Sequence, residues 1–197
     1  GFATANRAIT IPVRRLDGTM VWGKKEWREI VHPALKHFLK NPSGLLLGHN
    51  AGQYDRLSCE EQLGVTPKLS IDTILLSLLA DNEMPHGLGY EGSYRTDFTE
   101  AWKADNTRED AHTDEALWIY NAKDCVVTHR IRAPLMAQVT RRKQDHLVDR
   151  EHLLQRIGWA MQRIGLRTNP TEVHRHIDIQ EKKRDINLLD MRMVVGA

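Results

Sequence analysis

Two short stretches carry polar groups where an α/β fold would place a reactive site. The first is Gly48-His49-Asn50-Ala51-Gly52-Gln53-Tyr54-Asp55. It follows Leu45-Leu46-Leu47, a short apolar run of the kind found in a strand buried on both faces, and it opens a helix. Polar groups here would lie beyond the carboxyl end of a parallel strand, where open α/β sheets hold their ligands. Asp55 falls in the first helical turns, where a carboxylate also favours the positive end of the helix dipole. The plainer role of Asn50 is a helix cap. The second stretch is Trp118-Ile119-Tyr120-Asn121-Ala122-Lys123-Asp124. Leu117, Tyr120, Asp124, Val127 and Ile131 share one face of a helix. The other members of that face are apolar or aromatic, so Asp124 is a carboxylate on a face that should be buried. Such a group is costly unless it is paired, hydrogen-bonded or bound to a metal. Tyr120 stands one turn earlier and points the same way; its plainer role is core packing.

The elements that must position these residues follow from pattern and punctuation. Gly1 to Val13 alternates around Ala5-Asn6-Arg7, which predicts a hairpin. Residues 24–40 predict a helix, with Trp27, Ile30, Val31, Leu35 and Phe38 at helical spacing and Asn41-Pro42-Ser43-Gly44 as its stop. After the strand at 45–47, a helix over 52–63 ends at Gly64. A strand at 68–71 and a helix at 73–80 come next. Residues 82–112 read as a long polar loop with Pro85, Gly87, Gly89 and Gly92. A strong helix begins near Thr113, with Asp114 and Glu115 in its first turn, and Pro134 should end or kink it. Two helices close the chain, over about 147–164 and 170–193. The order is α/β, antiparallel strands first and parallel strands after.

Composition sets the outer bounds. The chain has 197 residues, 41% of them hydrophobic, so a sizeable core can form. No apolar run reaches the roughly eighteen residues of a membrane helix, and no secretory pattern opens the sequence. Two cysteines, Cys59 and Cys125, make a disulfide framework improbable and point to a reducing, cytoplasmic setting. Net charge is only +2, but Arg141 to Ala197 holds 12 Lys/Arg against 8 Asp/Glu. That tail could meet a phosphate backbone, or simply form a solvated helical face.

Taken together, the two stretches resemble a known pattern. Asn50-x-x-x-Tyr54-Asp55 looks like the second motif of the DnaQ-like 3′→5′ exonucleases, and Tyr120-x-x-x-Asp124 like the third motif in its tyrosine version. The interval, 124 − 55 = 69 residues, is similar to that in family A (Pol I-type) DNA polymerases. Asp72-Thr73, Pro85-His86-Gly87-Leu88, Trp118 to Asp124 and Met161 to Asn169 also resemble segments of that family. The resemblance implies an RNase H-like mixed sheet with flanking helices that lacks its first strand. It implies an exonuclease domain over 1–146 and, over 147–197, a helical segment similar to the start of a polymerase domain. It further implies two Mg²⁺ or Mn²⁺ ions held by carboxylates, Asp124 on one and Asp55 supporting the other. Tyr120 would position the attacking water and the scissile phosphate, while Asn50 and Tyr54 would line the pocket for the single-stranded DNA 3′ end. The implied partner within the same protein is a C-terminal polymerase domain.

One departure matters. The family's first motif is an Asp-x-Glu at the end of the first strand, and this chain has none in that place: Asp17 sits in a turn-like Asp-Gly and Glu26 begins a helix. The resemblance therefore implies a first strand ahead of residue 1 and an inactive fragment. Two other readings remain open: an RNA-trimming exonuclease of the RNase D type, and a catalytically dead exonuclease-like module that only binds DNA.

Overall fold

The computed structural model describes residues 1–4, 7–97, 103 and 113–195. The protein is mixed α/β, with helix dominant and two small sheets of two strands each. Strands β1 (Phe2–Ala3) and β2 (Ala8–Ile9) pair antiparallel, Phe2 opposite Ile9. Strands β3 (Leu47–Gly48) and β4 (Ile71–Asp72) pair parallel, Gly48 opposite Asp72. The sequence order, antiparallel then parallel, is thus observed. Among the described residues the two ladders are separate, and the parallel pair sits at the ends of the expected 45–47 and 68–71 strands, each reaching one residue beyond.

Between the sheets the chain forms helix α1 (Lys24–Glu26), a π-helical segment Trp27–Val31 and helix α2 (His32–Lys40). Leu35 and Leu39 are the buried members of α2. Phe38 meets the hairpin edge-on at Phe2, with ring centroids 4.8 Å apart. Helix α3 (Asp55–Leu63) ends where Gly64 takes a left-handed φ of 61°, a conformation that glycine adopts without steric cost. Its buried Arg56 pairs with Glu60 at 2.9 Å and lies 5.0 Å from the Trp159 ring. A Cβ at Gly52 would land on the Trp159 indole, so this position must stay small.

The core forms where helix α4 (Thr73–Ala80) packs on helix α6 (Asp114–Arg141). Leu76 and Ala80 bury against Val127, Ile131, Leu135 and Val139, with Tyr120 packed at the margin. The sequence predicts that Pro134 ends or kinks this last helix, yet α6 continues through it to Arg141. An interior proline costs about 3 kcal/mol. Complete burial of Leu135 and Val139, at about 1.5–3 kcal/mol each, is enough to offset that cost.

The segment 82–112, expected as loop, contains helix α5 (Leu88–Arg95). Gly89 and Gly92 hide it from any propensity reading, and buried polar contacts hold it instead. Ser77 donates to Glu91 at 2.5 Å and also meets His86 Nδ1 at 2.6 Å. Arg95 pairs with Glu91 and donates to Gln138, whose amide donates to the Ala80 carbonyl at 2.9 Å.

Helices α7 (Asp145–Ile164) and α8 (Pro170–Val195) follow. The chain divides into two compact units, Gly1–Trp159 and Ala160–Ala197. The first therefore takes in much of α7. In the second, Gly165 has a left-handed φ and Asn169 Oδ1 accepts the Thr171 N–H at 3.1 Å at the head of α8. Among the described residues, no helix is long and apolar enough to cross a membrane.

Candidate active site

The first candidate stretch leaves β3 through His49 and a sharp turn at Asn50, whose φ is +56°. Asparagine is one of the few residues that enters this region readily. The turn is fixed from below: the Asn50 N–H donates to Asp72 Oδ1 at 2.7 Å. Asn50 does not cap α3, because the residue before that helix is Tyr54 and no side chain caps it there. Asn50 is instead a surface turn residue tied to the scaffold by its backbone. His49, half-buried, meets Thr73 Oγ1 and the His86 carbonyl, each at 2.9 Å, and joins the loop to α4. Burial lowers its pKa from the ordinary 6.5.

Tyr54 is 64% exposed, an aromatic surface open to solvent. Asp55 opens α3, as its place in the sequence predicts. It is accessible to solvent. The protein around it still displaces enough water to raise its carboxyl above the ordinary 3.8, and the negative charges of Asp72 and Asp124 push the same way.

Asp72 caps α4 and is completely buried. Its Oδ1 accepts from Asn50 and Ile74, and its Oδ2 accepts from the Gln155 amide at 2.7 Å. Its own N–H donates to His152 Nε2 at 2.8 Å, so the other ring nitrogen carries the proton that reaches the Val148 carbonyl. Two side chains of α7 thus hold the base of the loop that presents Asn50 to Asp55. In the sequence Asp72 stood out only through the Asp-Thr resemblance, and nothing there signalled His152 or Gln155.

The second stretch lies on α6, whose first turn is capped by Thr113 and anchored by Arg15 and the Leu16 N–H on Asp114. Thr10 of the hairpin side donates to the Trp118 carbonyl at 2.9 Å. The expected face is present. Val127 and Ile131 are fully buried, Tyr120 is partly buried, and the Asp124 side chain remains 27% accessible. Its charge is met by Lys103, whose Nζ lies 2.9 Å and 3.0 Å from the two carboxylate oxygens. The same ammonium donates to the Tyr120 hydroxyl at 2.5 Å and stands 4.6 Å from the ring centroid. Burial works against the Lys103 charge, but the hydrogen bonds to Tyr120 and Asp124 and the attraction of Asp124 outweigh it and raise its pKa. Lys103 escaped the sequence reading because it sits in the aperiodic 82–112 segment.

The fold therefore joins Tyr120 to Asp124 through Lys103 and brings Asp55 within electrostatic reach of Asp124. Cys125 supports this placement: burial raises its thiol pKa, and both Asp124 and Asp55 add to the shift. Carboxylate oxygens suit Mg²⁺ or Mn²⁺. The Lys103 ammonium shows both Asp124 oxygens directed at one cation. Among the described residues, no group of three or more His, Cys, Asp or Glu could hold a metal. Asp124, with Asp55 near enough to feel its charge, supplies two carboxylates of the kind such a cation takes. Comparison with family models, curated proteins and solved structures finds no match.

Proposed function

We propose that the chain is the 3′→5′ exonuclease region of a family A DNA polymerase with an RNase H-like core, acting on the 3′ end of single-stranded DNA. The observation that carries this reading is the joining of Tyr120 and Asp124 by a shared cation, with Asp55 close enough to feel the Asp124 charge. Asp124 and Asp55 would hold Mg²⁺ or Mn²⁺, completed by an Asp-x-Glu pair at the end of a strand, a placement that neither Asp81-Asn82-Glu83, just after α4, nor Asp149-Arg150-Glu151, within α7, has. Bound there, such ions activate water and stabilise a leaving oxygen. The residues of the chain have separate tasks. Tyr120, packed on the core by its ring, directs a hydroxyl to hold a water or a phosphate oxygen. Exposed Tyr54 offers a face on which a terminal base stacks without being read. Asn50, fixed by its backbone to Asp72, would offer its amide to the same terminal nucleotides.

A nuclease assay tests this reading. The chain, extended at its N-terminus by a strand carrying Asp-x-Glu, should trim single-stranded 3′ ends with Mg²⁺. Asp124→Ala should abolish trimming, and Tyr120→Phe should slow it by up to about 10²–10³ with unchanged DNA affinity. Trimming by Asp124→Ala at the parent rate would overturn the assignment. A second reading, a module that binds DNA without cutting it, draws on the pairing of Asp124 with Lys103 and on the lack, among the described residues, of a third metal-ligating group beside it. Tight DNA binding without trimming by the extended protein would favour it.

A further inference from the structure

Lys103, the cation that joins Tyr120 to Asp124, makes the closest polar contacts at the site but has no catalytic task in the function just proposed. Its ammonium spans both Asp124 oxygens at 2.9 Å and 3.0 Å and the Tyr120 hydroxyl at 2.5 Å. Its stem is seated as well. A Cβ at Gly89, in the first turn of α5, would come within 2.9 Å of Lys103 Cγ and 3.1 Å of its Cβ, so the glycine leaves the channel the side chain uses. A divalent cation ligated by Asp124 would sit about 2.0–2.6 Å from a carboxylate oxygen. That is the space the ammonium already fills, and two cations cannot share it. A lysine suits a temporary occupant, because its four-carbon stem is flexible and its head is a point charge without fixed geometry.

We propose that Lys103 is an internal placeholder for the metal. Its ammonium holds Asp124 and Tyr120 in their working arrangement in the metal-free protein, and a divalent cation must displace it to bind. The proposal rests on the metal-site reading of Asp124. It gives Lys103 a positioning role: it sets how tightly the site loads and keeps the two side chains together until loading occurs.

Mn²⁺ titration of the 197-residue chain by calorimetry tests this, with wild type, Lys103→Met, Lys103→Gln, Lys103→Arg and Asp124→Asn compared. Removing the competing charge should tighten Mn²⁺ binding about tenfold in Lys103→Met and in Lys103→Gln. Lys103→Gln keeps a hydrogen-bonding group for Tyr120, so it reports on charge alone if Lys103→Met folds poorly. Lys103→Arg should bind within about twofold of wild type. Asp124→Asn should lose binding. If both neutral variants bind no tighter than wild type while Asp124→Asn loses binding, the placeholder is overturned and the metal site stands. Wild-type affinity in Asp124→Asn overturns both.

Discussion

Asp72 and Asp124 are two carboxylates on neighbouring elements, compensated in opposite ways. Asp72 is wholly buried, and its oxygens accept three neutral donors: the N–H groups of Asn50 and Ile74 and the amide of Gln155. Each of those donors is fixed by a turn, a helix or a packed side chain. Asp124 keeps a quarter of its side chain accessible and meets the flexible Lys103 ammonium. A carboxylate held by fixed dipoles is part of the scaffold, because replacing any partner leaves a buried group unpaired. A carboxylate held by a removable charge can exchange that charge for another. The contrast separates the residue that shapes the Asn50 turn from the residue that, under the proposed function, would bind a cation.

The largest expected effect sharpens that contrast directly. Asp72→Ala leaves the Asn50 and Ile74 N–H groups and Gln155 without their acceptor, and should cost about 3 kcal/mol in urea unfolding. Gln155→Ala should cost about 1 kcal/mol, and Asp124→Ala no more than about 1 kcal/mol, as for a partly exposed pair. Equal losses at Asp72 and Asp124 would erase the distinction. A smaller effect of opposite sign is expected at Asp55. Its carboxyl is raised in the folded protein, so its contribution is fully present below pH 3.8 and is lost as pH rises through the raised folded value. At neutral pH the ionised group therefore opposes folding. Asp55→Asn should stabilise the metal-free protein at pH 7 and have little effect at pH 3. Destabilisation at pH 7 would show that Asp55 is held by stabilising partners, as Asp72 is.

Much of the helical frame was legible because its signals are local. Gly64 marks the end of α3, Thr113 caps α6, and the apolar spacing of Val127 and Ile131 marks the buried face on which Asp124 lies. What escaped is what tertiary contacts decide. Helix α5 contains Gly89 and Gly92 and is held by Ser77, Gln138 and the buried Glu91–Arg95 pair, none of which a local pattern can show. Pro134 reads as a break until the burial around it is known. Asn50 reads as a cap until Asp72 is seen to accept its backbone N–H. Of the candidate site, Asp55, Tyr120 and Asp124 were visible by type and spacing. Lys103 was not, because no periodicity connects it to Tyr120 and Asp124, 17 and 21 residues further along the chain.

The proposed function requires Asp124, together with Asp55, to bind the cation and Asp72 to stay a scaffold residue. Paramagnetic broadening of amide NMR signals by substoichiometric Mn²⁺ tests this most directly. Residues around Asp55 and around Tyr120 to Asp124 should broaden first, and Asp124→Asn should remove the effect. Broadening centred elsewhere, or unchanged in Asp124→Asn, would contradict it.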